Sequence, residues 1–343
     1  MRFAFTEDHL LFRTTVREFL EKECTPADVR AAWASASGWS PERWGKLAAL
    51  GVTGLTVPER HGGLGMDELS LVLVLEESGR AGLPEPIVAT TAVGAPLLAE
   101  VAPEELRERW LGRVAAGQAV LGVGLSYLPF VDHAESADLL LLQRGDELHA
   151  VRRDRVTLVA QPALDGARRL ASVEWEPGTD TRLATGDRAA WAVESAFDRG
   201  ALATAAQLLG VSQQLIALAV AHARDRVQFG QPIGTFQAVK HMLADALLQL
   251  ELARPVVYRA AYSVASGVPE RALDVSMAKA FASDAATVAC RVALQTHGAI
   301  GYTWEHDLQL WMKRGWALAA AWGDAAWHRA RVGAAVLPRP RVS

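Results

Sequence analysis

Between Gln118 and about Thr185 the chain is written in short apolar runs, VLGVGLSYL, ADLLLLQRG, ELHAV, VTLVA and LASVEWEP, separated by Gly, Asp and Pro. On both sides apolar residues recur at helical spacing instead. Short apolar runs with turn residues predict strands and the 3.6-residue period predicts helices, so the order along the chain is α, then β, then α. With 343 residues the chain exceeds the ~250–300 at which a single core stops growing, which predicts two or three domains. The expected segments are 1–117, an N-terminal helical domain; 118–186, a small β domain; and 187–343, a C-terminal helical bundle. The fold class is α+β, mostly α.

Helix starts are explicit in the first segment. Thr6 precedes Glu7 and Asp8, and Thr25-Pro26 and Ser40-Pro41 each place a capping oxygen before a proline at the first helical position. Helical patterns return over Leu69–Gly79 and Glu104–Ala116. In the last segment Leu202, Leu208, Leu209, Leu215, Ile216 and Val220 share a face. A second pattern runs from Phe236 to a C-cap at Gly267, and a third from Ala272 to Leu294. Alanine-rich faces allow close approach, so an antiparallel bundle crossing at ~18–20° is expected.

Composition excludes several classes. Half the residues are hydrophobic and the net charge is −4, which rules out a disordered chain and gives no basic surface for nucleic acid. Cys24 and Cys290 are the only cysteines, too few for a disulfide framework, and are expected as buried thiols in a reducing cytoplasm. The opening MRFAFTEDHLLF turns polar before a secretory core develops, and no run approaches ~18 unbroken apolar residues, so neither export nor a membrane is expected. The nine histidines show no ligand spacing for a metal, and Ser126, Ser263 and Ser283 lack a Gly-x-Ser-x-Gly elbow.

Two stretches remain. In Arg224–Gln237 (RDRVQFGQPIGTFQ) one helix runs into a tight turn and the next begins; an arginine there can hold a phosphate through paired charge-assisted bonds and Phe229 can cover an aromatic ring, or Arg226 simply pairs with an acid at a helix corner. In Gln295–Tyr302 (QTHGAIGY) glycines let backbone amides approach an anion, or they only cap a helix. Together they suggest a split nucleotide site.

With VPERHGGLG (residues 57–65) added, three motifs in order resemble those of the acyl-CoA dehydrogenase family, and the resemblance spans nearly the whole chain. It implies an N-terminal helical domain, a middle β domain and a C-terminal four-helix bundle. It further implies FAD and acyl-CoA, with a glutamate taking the α proton while the β hydride passes to flavin. By the same resemblance Arg226, Gln228, Phe229, Gln237, Gln295, Gly298 and Ala299 match positions that contact the ADP portion of FAD, in the family that of the neighbouring subunit. Ala299 replaces the motif's second glycine.

The departures are selective. Counted without gaps from Tyr302, the family's usual catalytic glutamate falls on Trp322, followed by Gly323 and Asp324 in place of Gly-Thr. The alternative base position, three after Phe197, is Gly200. Indole has no basic site, so no catalytic residue is assigned. The flavin-contacting strand region is collapsed into LSYLPFVDHAESAD, with Phe130–His133 its nearest remnant. The chain thus resembles the base-lacking subunit of heteromeric, steroid side-chain-type actinobacterial members. It is expected to complete FAD sites on a homologous partner, in an α2β2 heterotetramer or otherwise a homo-oligomer. Alternatives are a self-sufficient flavoenzyme, with Asp198, Asp324 or Glu305 as a relocated base or with monooxygenase chemistry, and a non-enzymatic structural partner.

Overall fold

The computed structural model describes residues 4–337; residues 1–3 and 338–343, which the first and last expected segments include, lie outside the described residues. The chain divides into two compact units, Met1–Val74 with Pro84–Ala203, and Leu75–Leu83 with Thr204–Ser343. Two helices, α4 (Glu68–Ala81) and α7 (Gly186–Asp225), contribute residues to both.

The first unit opens with α1 (Glu7–Glu23), α2 (Pro26–Ala34) and α3 (Pro41–Ala49). Each begins where its cap predicts. The Thr6 hydroxyl accepts from the His9 N–H while His9 Nδ1 accepts from the Thr6 N–H, and Thr25 forms the same reciprocal pair with Asp28. Ser40 caps α3 by accepting from the Arg43 N–H at 3.2 Å.

The Val57–Gly65 motif follows as a tight turn. A Cβ on Gly63 would stand 2.1 Å from the Val57 carbonyl oxygen, and Gly62 and Gly65 have φ of +81° and +59°, so this motif is a folding device. Then come α4, a π-helical stretch Val88–Gly94, α5 (Ala95–Val101) and α6 (Glu104–Ala115). The π stretch and α5 escaped the sequence reading. Thr90 and Thr91 are buried in that stretch, where Thr90 Oγ1 accepts from the Leu121 N–H at 3.1 Å.

Strands occupy residues 121–185. β1 (Leu121–Gly124), β3 (Leu139–Arg144), β4 (Glu147–Arg152) and β7 (Arg182–Thr185) form one sheet in the order β1-β3-β4-β7. β2 (Val131–Asp132), β6 (Leu170–Glu174) and β5 (Thr157–Gln161) form a second, in the order β2-β6-β5. Among the described residues only the β1–β3 pair is parallel. A core of Val131, Leu140, Leu142, Val151, Ala171 and Trp175 lies within this region. β2 and β7 were not foreseen, being too short or too polar to show alternation.

In the second unit α7 leads through a hairpin, β8 (Val227–Gln228) and β9 (Gln231–Pro232), to α8 (Gln237–Ala265), α9 (Arg271–His297), α10 (Leu308–Ala320) and α11 (Ala325–Val336). The hairpin replaces the simple turn expected there. Close packing of α4 on α7 depends on reciprocal glycines. A Cβ on Gly79 would stand 2.0 Å from the Gln207 carbonyl oxygen and one on Gly210 would stand 1.9 Å from that of Glu76. The Trp311 indole donates to the Arg80 carbonyl at 2.9 Å and Arg314 to that of Leu83 at 2.7 Å. Cys24 and Cys290 are both buried free thiols, and burial pushes Cys290 up to about 12. By length and composition α7 is apolar enough to cross a membrane, but 72% of its most apolar window is buried inside the protein, as in a core helix.

Candidate functional site

The seven residues expected around a nucleotide all lie in the second unit. Arg226 follows α7, and its carbonyl accepts from the Ile233 N–H at 2.8 Å, closing the base of the hairpin. Val227 pairs with Pro232 and Gln228 with Gln231, leaving Phe229 and Gly230 as the two central turn residues. Both have positive φ, +53° and +81°, as in a type I′ turn. For a phenylalanine this is a strained backbone, and the residue is 92% exposed, its ring lying edge-on to Phe236 at 6.1 Å between centroids. An apolar ring held in solvent in a disfavoured conformation contributes little to the chain's own packing.

Arg226, Gln228 and Gln237 are exposed as well. Gln237 is the first residue of α8, whose N-cap, Phe236, offers no side-chain acceptor. The Val239 and Lys240 N–H groups donate to the Phe236 carbonyl, both at 3.1 Å, and the Gln237 and Ala238 amides ahead of them receive no side-chain cap, an arrangement suited to phosphate oxygens.

Gln295, Gly298 and Ala299 sit at the end of α9. Gly298 has φ +64° and ψ −141°, which only glycine adopts readily, while an added Cβ there would meet nothing within 4 Å. The constraint is conformational. Gln295 and Ala299 are exposed and the following 3-10 turn, Gly298–Tyr302, presents Ile300 and Tyr302 to solvent.

The two motifs are tied together by a feature that sequence spacing concealed. His222, in the last turn of α7, stacks on His297, the last residue of α9, with ring centroids 4.3 Å apart. His306 packs edge-on against His297 at 4.8 Å. Among the described residues no three His, Cys, Asp or Glu side chains are grouped to hold a metal ion.

The positions that the resemblance reserves for a base are filled differently. Trp322 is 8% exposed with φ +56°, and Gly323 after it has φ +84°, so two consecutive left-handed residues join α10 to α11. Fully buried Lys279 on α9 donates to the carbonyls of Ala319 at 3.0 Å and Gly323 at 2.9 Å and to Ser283 Oγ at 3.2 Å. His328 Nε2 donates to the Trp322 carbonyl at 2.8 Å, and burial pushes that imidazole down to about 4. Asp324 is the N-cap of α11, accepting from the Trp327 N–H at 2.8 Å. Glu305 is exposed.

In the first unit Gly200 lies within buried α7, one residue after Arg199, whose guanidinium is held by Glu68 at 2.8 Å and Glu100 at 2.6 Å. Asp198 is fully buried. Tyr127, exposed in the turn after β1, tilts against Phe197 at 5.2 Å. In the stretch 130–133, Asp132 pairs with Arg168 at 2.8 Å and His133 is buried at φ +53°.

Comparison with known proteins agrees with this architecture. The family model for the acyl-CoA dehydrogenase N-terminal domain matches residues 6–118 and that for the C-terminal domain matches residues 190–337. The acyl-CoA dehydrogenase IpdE2 of Mycolicibacterium smegmatis is 37% identical over 310 residues, covering 90% of this chain and 92% of that protein. The chain belongs to the acyl-CoA dehydrogenase family. IpdE2 of Mycobacterium tuberculosis is 33% identical over 309 residues, covering 90% of this chain and 91% of that protein. Butyryl-CoA dehydrogenase from Megasphaera elsdenii superposes with a TM-score of 0.89 at 23% identity, over 98% of this chain and 100% of that one. A chain of the ChsE4-ChsE5 complex from Mycobacterium tuberculosis gives 0.88 at 24%, over 99% and 100%. These two establish the shared fold. Membership of the family supports an oxidoreductase acting on acyl-CoA, with FAD as its implied cofactor.

Proposed function

We propose that this chain is one subunit of a heteromeric, FAD-dependent acyl-CoA dehydrogenase, and that it grips the ADP portion of FAD seated on a homologous catalytic partner. The observation that carries this reading is the contrast between two ends of the second unit. At one, Arg226, Gln228, Phe229, Gln237, Gln295, Gly298 and Ala299 are turned to solvent. At the other, the turn that the family reserves for its base holds a buried tryptophan, locked by Lys279 and His328.

The donor set fits an ADP group: a guanidinium and three exposed amide side chains, uncapped helix amides for phosphate, and an exposed aromatic ring for a planar base. Bound FAD supplies the hydride acceptor for α,β-dehydrogenation. This chain's part is to hold the far end of the cofactor so that the reacting end stays placed on the partner. The partner supplies the carboxylate that takes the α proton. The assembly is an α2β2 heterotetramer in a reducing cytoplasm, and the three segments 1–117, 118–186 and 187–343 serve as its domains. The resemblance of the sequence to the base-lacking subunit of heteromeric members makes a bulky acyl thioester, of the steroid side-chain kind, the substrate of this proposal. The self-sufficient alternative is weakened by Asp324, whose carboxylate is committed to capping α11.

The test is co-expression with homologous family chains, followed by mass and flavin measurement. The complex should bind FAD stoichiometrically and oxidise an acyl-CoA, the chain alone should do neither, and Arg226→Ala should lower flavin content without dissolving the complex. Stoichiometric FAD and turnover by the purified chain alone would overturn the proposal.

A further inference from the structure

Two imidazoles join the segments that the preceding proposal assigns to the cofactor. His222 stands four residues before Arg226, and the Arg226 N–H donates to the His222 carbonyl at 2.9 Å. His297 directly precedes Gly298. Their rings stack at 4.3 Å with planes 26° apart, and His306 closes edge-on against His297 at 71°. A carbonyl can only accept, so His297 Nδ1 carries the proton it donates to the Ala293 oxygen at 2.7 Å. His306 Nδ1 accepts from the Leu308 N–H at 3.1 Å, which leaves its proton on Nε2. Each hydrogen bond is satisfied by a neutral ring.

We propose that the His222–His297 stack is a positioning clamp that holds the Arg226 hairpin and the Gly298–Tyr302 turn in one arrangement, and that it does so only while both rings are neutral. The clamp belongs to this chain; its service to FAD rests on the function proposed above. Neutral rings at 4.3 Å attract by dispersion and exclude water, whereas two imidazolium rings at that separation repel.

The surroundings favour the neutral state. Desolvation is the largest cause lowering the pKa of both rings; His306 and Arg226 lower His222 further and Asp225 opposes, while the Ala293 carbonyl opposes for His297, which His222 and His306 also lower. The titratable and charged groups acting on the pair are therefore Asp225 and Arg226 at the end of α7 and His306 ahead of α10. Because the folded pKa values lie below the ordinary ~6.5, the closed clamp is fully favoured above ~6.5 and is lost as pH falls through the lowered values. A phenylalanine pair would stack equally well but could not open on acidification.

The test is amide hydrogen exchange on the full chain at steps from pH 8 down to pH 4.5, corrected for intrinsic exchange and normalised to a peptide within α9. Peptides covering 226–236 and 298–308 should lose protection together, by about tenfold or more, on the acid side of ~6.5. His222→Phe, which keeps the stack, should abolish that pH response, and His222→Ala should deprotect both peptides even at pH 8. Equal protection across the whole series in the wild-type chain would overturn the clamp, even if both variants fail to fold. So would a His222→Phe chain as pH-sensitive as wild type. Flavin release from the complex separates the two proposals: release that accelerates with acid in wild type but not in His222→Phe supports both. A complex that never holds FAD, with exchange as expected, leaves the clamp standing and removes the cofactor assignment.

Discussion

The buried ammonium of Lys279 donates to the main-chain carbonyl of Gly323 across 2.9 Å. With its bond to the Ala319 carbonyl, this places a cation at the C-terminal end of α10, where the helix dipole favours one, and ties that end to the left-handed pair Trp322–Gly323. Lys279→Met keeps much of the volume but strips donors from both carbonyls. A loss of about 2–4 kcal/mol is expected, read as a lower urea midpoint. An unchanged midpoint would mean that the turn holds its shape without the lysine.

His328 gives that region a pH dependence of known sign. Its imidazole is pushed down to about 4, mainly by burial, from an ordinary value near ~6.5 in the unfolded chain. The unfolded chain takes up a proton first, so the stability contributed by neutral His328 is complete above ~6.5 and is lost as pH falls through about 4. The loss amounts to about 3 kcal/mol at the acid end. Urea unfolding at several pH values between 7.5 and 4 should show the decline, and His328→Gln should flatten it. Parallel curves for the two chains would assign the acid sensitivity elsewhere.

Phe229 sits in a hairpin turn that prefers asparagine. At φ +53°, before Gly230, Phe229→Asn creates the Asn-Gly pair favoured in type I′ turns. The substitution is expected to stabilise the free chain by about 0.5–1 kcal/mol while reducing flavin retention in the assembled enzyme. Opposite changes in the two measurements mark a residue kept for contact with something outside the chain. Lower stability with normal retention would mark it as part of the fold.

The sequence disclosed the elements whose cause is local. Thr6, Thr25 and Ser40 cap where their spacing says, and the long α7, α8 and α9 follow their apolar period. It hid what depends on chain segments far apart or on very short pairing. β2 and the hairpin strands are two residues each, the π-helical stretch looks like any buried run, and the His222–His297 stack joins residues with no spacing relation. The candidate site was legible as motifs because glycine and arginine patterns are local. The lock around Trp322 was not, because Lys279 lies on a different helix and reads there as one lysine among alanines.

Gly210 shows how little freedom the α4–α7 contact has. An alanine methyl would lie 1.9 Å from the Glu76 carbonyl oxygen and 2.5 Å from the Arg80 nitrogen, both main-chain atoms of α4. Relief requires the two helices to separate, so Gly210→Ala is expected to cost roughly 3 kcal/mol or more and to lower the melting temperature sharply. A melting temperature within a degree or so of wild type would mean that α4 yields at this point.

Trp322→Glu introduces the residue type that the resemblance implies for this turn, and so separates loss of the base from loss of the site. A carboxylate placed where the tryptophan is 8% exposed would be largely buried, and removal of the indole leaves a void, so a loss of about 3–5 kcal/mol is expected. Turnover is not expected to appear. The Trp322 carbonyl is held by His328, Gly323 by Lys279, and Asp324 by its cap on α11, so the new side chain would hang from a turn fixed for another purpose. The assay is acyl-CoA-dependent reduction of an electron-accepting dye by the variant chain purified alone. Dye reduction above the wild-type background would show that one carboxylate was all the chain lacked, and its assignment as a non-catalytic subunit would have to be withdrawn.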